Sequence, residues 1–120
     1  MPNMNEHIKK YEENRKLLDN ELNINICNCY NWIVTIAFYA AMHLVESSLA
    51  VNNIHNKTHI SRNNMIDRMS EFREIRAQYK FLHDRSVIAR YEAANMNKQK
   101  AEMALTLLNQ IESKMIKPKE

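Results

Sequence analysis

No glycine occurs anywhere in this chain of 120 residues, and its two prolines, Pro2 and Pro118, stand at the ends. Glycine supplies the left-handed backbone that tight strand-to-strand turns need, and proline breaks helices. An interior lacking both favours long helices over a strand-and-turn protein. Turns and helix ends must then fall to asparagine, and Asn52, Asn53, Asn56, Asn95 and Asn97 stand where breaks are needed. A chain of this length forms one core and is too short for two. The expectation is therefore one domain over residues 1–120, its core spanning about 5–116.

Hydrophobic periodicity places the helices. Residues 5–24 carry Ile8, Tyr11, Leu18 and Leu22 on one stripe, with Glu12, Glu13, Arg15 and Lys16 outside. Residues 27–51 contain the most apolar run, in which Ile33, Val34, Ile36, Ala37, Phe38 and Ala40 cover nearly all sides of a helix. That pattern marks a central helix buried by its neighbours. A membrane span needs about 20 apolar residues, and here His43, Glu46 and Ser47 interrupt after about a dozen. Thr58 is an N-cap for a short third helix over 59–70, with Ile60, Met65, Ile66 and Met69 inward. A fourth helix over about 72–93 turns Ile75, Tyr79, Leu82, Ser86, Ala89 and Ala93 inward. Asn95 or Asn97 caps the last, whose stripe is Ala101, Ala104, Leu105, Leu108, Ile111 and Met115, before a frayed KPKE tail. These elements predict an all-α, antiparallel up-and-down bundle of four to five helices.

Charge and cysteine content narrow the classes of function. Residues 57–100 hold ten Lys and Arg against five acids, whereas the remainder holds seven against nine. A basic half suits a polyanion such as RNA, although interspersed acids also describe an ordinary solvated face. Two cysteines one residue apart, Cys27 and Cys29, with no second pair to complete a zinc site, read as the start of the buried helix in a reduced, cytoplasmic protein. The opening MPNMNEHIKKYEENRK is too charged for an export signal.

Polar residues recur on helical lines. Trp32, Ile36, Tyr39 and His43 share one stripe, which the sequence alone reads as mostly core with His43 near its polar end. Tyr79, His83, Ser86 and Arg90 repeat that spacing, and two such stripes can converge on a pocket between helices. His59 and Arg62, three apart in a first helical turn, can hold an anion or form an exposed polar turn. His55 and His59 flank a helix start, share no face and have no local third ligand, so neither metal nor cofactor is expected.

In order along the chain, WIVTIAFYAAMHLVESSL, THISR, YKFLHDRSVIARYE and the closing amphipathic helix resemble the HEPN superfamily, above all its small stand-alone bacterial and archaeal members. The likeness covers residues 5–116. It implies a helical bundle that pairs as a homodimer and handles RNA or nucleotides in toxin–antitoxin, defence or stress systems. A nucleotidyltransferase or antitoxin is the implied protein partner. Active members are metal-independent ribonucleases whose motif is Arg, four to six residues, then His. With ARYE (89–92) in register, the family's Arg falls on Ser86 and its His on Tyr91, neither of which can supply that chemistry. Arg76 and His83 fit the loose spacing but lie out of register. The resemblance thus implies an RNA- or nucleotide-binding module, with a noncanonical ribonuclease or a protein-interaction module as alternatives. The candidate catalytic residues are His83, Arg76 and Arg90. The candidate ligand contacts are His59, Arg62, Ser86, Arg90, Tyr91, His43 and Tyr39.

Overall fold

Asparagine does in this chain what glycine does in others. In the computed structural model, which describes residues 3–55, 58–91 and 96–116, Asn53 takes the left-handed backbone (φ 59°) just past a helix end, a conformation asparagine tolerates better than most residues. The side chains of Asn3 and Asn97 accept from the N–H groups of Glu6 and Lys100 and so start two helices. Thr58 does the same for Ser61. Asn56, Asn95, Ala93 and the KPKE tail lie outside the described residues.

Five α-helices result: α1 (Met4–Asp19), α2 (Tyr30–Val51), α3 (His59–Arg68), α4 (Arg76–Tyr91) and α5 (Lys98–Met115), with one 3-10 turn at Ser70–Phe72. The fold is an all-α helical bundle. α2 is its axis, packed by α1, α4 and α5. By length and composition α2 could cross a bilayer, yet about two-thirds (67%) of its most apolar window is buried against the other helices, as befits a core helix. Side-chain pairs fix the directions. Tyr11 and Arg15 of α1 meet Glu112 of α5, and Arg15 also reaches Asn109, so these helices run oppositely. Glu46, late in α2, lies close enough to act on Tyr79 near the start of α4, while Tyr39, earlier in α2, lies under Arg90 near the end of α4, so α2 and α4 do too.

The core joins Phe38, Val45 and Leu49 of α2 to Ile66, Phe72, Tyr79, Leu82, Leu108 and Ile111. The inward stripe expected for α4 is present through Ile75, Tyr79, Leu82, Ser86 and Ala89. Other expectations need correction. Ile60 is 75% exposed, because Arg62 and Ile66 take the inward positions of α3. Trp32 is 57% exposed, and Tyr39 and His43 are only half-buried. Their line is the rim of α2, and the core belongs to Phe38, Ala41 and Val45. The first helix ends at Asp19, since Asn20 and Asn23 fold the chain back and Leu22 N–H returns to Leu17 O. The fourth begins at Arg76 rather than near 72, after the 3-10 turn.

Arg76 fastens this junction. Its Nε donates to Ile66 O at 2.9 Å, a carbonyl that the end of α3 leaves open, and its Nη2 to Met69 O at 3.3 Å, which also accepts from Phe72 N–H. Arg76→Met should therefore lower stability by about 1–3 kcal/mol. The check is a urea midpoint that falls at unchanged slope; an unmoved midpoint contradicts this role.

Candidate functional site

A charged residue inside a helix as apolar as α2 needs a partner, and Glu46 has one. It is 4% exposed and accepts from Nε of Arg62, itself 6% exposed, across the α2–α3 contact. Arg62 Nη1 also donates to His59 Nδ1 at 2.9 Å. With Nδ1 accepting, the neutral His59 ring carries its proton on Nε2. The His59–Arg62 pair seen in the sequence is therefore real, but Arg62 turns inward to a carboxylate and is no open anion contact.

His59 is thereby set against α4. Its ring lies 4.8 Å from that of His83, centroid to centroid, and both rest on Phe38 at 5.7 and 5.0 Å. One turn along α4, the buried Ser86 hydroxyl donates to His83 O at 2.7 Å and accepts from Arg90 Nη1 at 3.4 Å. Arg90 also lies over the Tyr39 ring, 5.8 Å from its centroid, a cation–π distance. No carboxylate among the described residues pairs with Arg90. Tyr79 sits beneath the cluster, fully buried, its hydroxyl beside Arg62 but without a hydrogen bond of good geometry, and burial pushes its pKa well up.

Both cluster histidines titrate below the usual imidazole range. Burial is the main cause for each; for His59 the next is Arg62, and for His83 Asp84 pulls the other way while Arg90 and Arg62 add to the lowering. At neutral pH the pair is uncharged, and Arg90 is the cation left at its edge. The arrangement offers two imidazoles, an aromatic face and a guanidinium of fixed direction, a set that suits a phosphate and a base.

Tyr39 of one stripe and His83, Ser86 and Arg90 of the other thus come together, and His59 joins them from α3. Three candidates do not join. Arg76 is committed to the α3 carbonyls. Tyr91 is 80% exposed at the last residue of α4, rotated away from Arg90's side. His43 faces α1, where its Nδ1 lies 3.1 Å from Nδ1 of His7, one ring donating and the other accepting. Sequence reasoning missed His7, Glu46 and Phe38 as parts of this polar seam. Glu46, a lone acid between Val45 and Ser47, was the signal that could have revealed it.

A wider concavity lies elsewhere. It is a groove of about 680 Å³ that Ser48, Glu71, Arg73, Glu74 and Lys114 help to line. Part of its charge is spent internally, since Lys114 pairs with Glu74 at 3.3 Å and Ser48 donates to Glu71 at 3.1 Å. Size alone does not make it an anion site. Among the described residues no group of three His, Cys, Asp or Glu is placed to hold a metal ion.

No protein-family model, curated protein or solved structure matches the chain.

The His7–His43 contact predicts a pH dependence. Burial, then the neighbouring His7, lowers the His43 pKa from 6.5 to about 4. Between those values the unfolded chain binds a proton that the folded one refuses, so stability is full above pH 6.5 and falls as pH drops towards 4. His7, His59 and His83 are shifted the same way. Thermal melts should show Tm falling through this window, less steeply in His43→Gln. An equal slope in that variant contradicts the assignment.

Proposed function

We propose that this protein is a HEPN-like helical module that binds RNA or a nucleotide at the His59–His83–Arg90 cluster without cutting it. The observation that carries this reading is Arg90. It is braced by Ser86 and Tyr39, has no carboxylate partner among the described residues, and stands beside two neutral imidazoles. A guanidinium held in one direction and left unneutralised favours a phosphate. Tyr39 adds a ring on which a base can stack, and the surplus of Lys and Arg over residues 57–100 favours a polyanion. The resemblance to HEPN proteins adds the homodimer, the cytoplasmic setting, the defence, toxin–antitoxin or stress role, and a nucleotidyltransferase or antitoxin as partner.

A metal-independent ribonuclease is the second reading, and the 4.8 Å His59–His83 contact favours it. Two imidazoles so placed can divide base and acid roles. Against it, both pKa values are lowered, so neither ring is a ready acid at neutral pH. Cleavage by this pair would strengthen towards acid conditions.

Labelled RNA, without metal and at two salt concentrations, decides between them for wild type, Arg90→Ala and His83→Ala, each verified as folded by circular dichroism. The expected result is intact RNA bound in a salt-sensitive way. Arg90→Ala should weaken binding about tenfold or more, the roughly 1.5–3 kcal/mol of a charged hydrogen bond. Cleavage abolished by His83→Ala overturns the non-cutting reading in favour of the ribonuclease. Neither binding nor cleavage removes both and leaves a protein-interaction module.

A further inference from the structure

The chain has only two thiols, and the segment that enters α2 folds them onto one another. Ile26 and Cys27 both donate their N–H to Asn23 O, at 3.0 and 2.8 Å, which closes a tight turn before the cysteines. Cys29 N–H then donates back to Cys27 Sγ at 3.2 Å. Tyr30 N–H donates to Asn28 O at 2.9 Å, and Cys29 between them has φ −80° and ψ 64°, the geometry of an inverse γ-turn. Cys29 is exposed and Cys27 partly so.

From this geometry we propose that Cys27 and Cys29 are a modification site, a dithiol that closes reversibly to an intramolecular disulfide on meeting a small-molecule disulfide. Two residues apart, their Cα atoms are at most about 7 Å distant even in extended chain. That ceiling lies just above the roughly 4.4–6.8 Å that a disulfide spans, and the two thiols already stand within hydrogen-bond reach of one another. Closure leaves the first helical bond of α2, Ile33 N–H to Cys29 O, in place.

The step balances with glutathione disulfide as oxidant. The thiolate of the exposed Cys29 attacks one sulfur of glutathione disulfide, whose S–S bond breaks and releases one glutathione. Cys27 then attacks the Cys29 sulfur of the mixed disulfide, the protein S–S bond forms, and the second glutathione leaves. Two electrons pass to the oxidant, and the two cysteine protons end on the two glutathione thiols. The hydrogen bond with Cys27 raises the Cys29 pKa above the ordinary thiol value, so closure is slow at neutral pH and quickens as pH rises.

The test uses the full-length reduced protein, incubated with glutathione disulfide at pH 7 and pH 9, acid-quenched and weighed intact by mass spectrometry. Wild type should become lighter by two hydrogens, faster at pH 9, and return to the starting mass with reduced glutathione. Cys27→Ser should stop as a stable glutathione adduct on Cys29, and Cys29→Ser should react more slowly than Cys27→Ser. Three results would overturn the proposal: a lasting glutathione adduct on wild type, disulfide-linked dimers as the main product, or no reaction at either pH. Both side chains lie at the surface, and a circular dichroism spectrum matching wild type confirms that each variant folds.

Discussion

The buried ion pair between Glu46 and Arg62 is the constraint on which the rest of this structure depends. Neither group can sit unpaired where α2 and α3 bury it, because a stranded buried charge costs about 3–5 kcal/mol. That is a large share of the roughly 5–15 kcal/mol that holds a domain together. The pair is not itself a large source of stability, since an apolar replacement of both partners is often neutral or better. Its consequence is positional. α3 is short, and it reaches the bundle through Arg62, Ile66, His59 and the carbonyls taken by Arg76. With Arg62 fixed to Glu46, His59 is held by the second arm of the guanidinium and can only face α4.

A hierarchy of contacts follows from that. Arg62 orients His59, Phe38 supports both imidazoles, and Ser86 and Tyr39 aim Arg90. The structural cations are thus separated from the proposed ligand contact by their partners. Arg62 and Arg76 are spent on a carboxylate and on backbone carbonyls, while among the described residues Arg90 is held by neutral groups. His7 and His43 extend the same polar seam to α1, where a shared hydrogen bond replaces an ion pair. Their lowered pKa values fit a seam built to stay uncharged apart from its one internal pair.

Much of the fold was legible from the chain, for reasons that can be named. The absence of glycine left helices as the economical solution, and Thr58 and Asn97 marked two helix starts correctly through side-chain caps. α4 showed its buried stripe because its apolar residues keep strict helical spacing. Errors arose where a polar residue outcompeted an apolar one. Ile60 looked inward, yet the need to satisfy Glu46 gave that face to Arg62. Trp32 looked like core because it shares a line with Tyr39, but that line is the rim. Helix ends failed at Asp19 and Arg76, where turns held by Asn20, Asn23 and the Ser70–Phe72 segment cut into continuous patterns. The convergence of His83, Ser86 and Arg90 with His59 was readable as spacing. The pairing of residues 46 and 62 was not, because nothing local specifies contacts between separate helices.

The central claim is that a phosphate-bearing ligand meets the protein at His59, His83 and Arg90. It is tested most directly by heteronuclear NMR of the labelled protein titrated with a short single-stranded RNA. The account predicts that shifts gather on the His59 and His83 rings, Tyr39 and Arg90, with His55 and Lys114 unmoved. Shifts centred instead on the groove near Ser48, Glu71 and Lys114, or none at all, would contradict it.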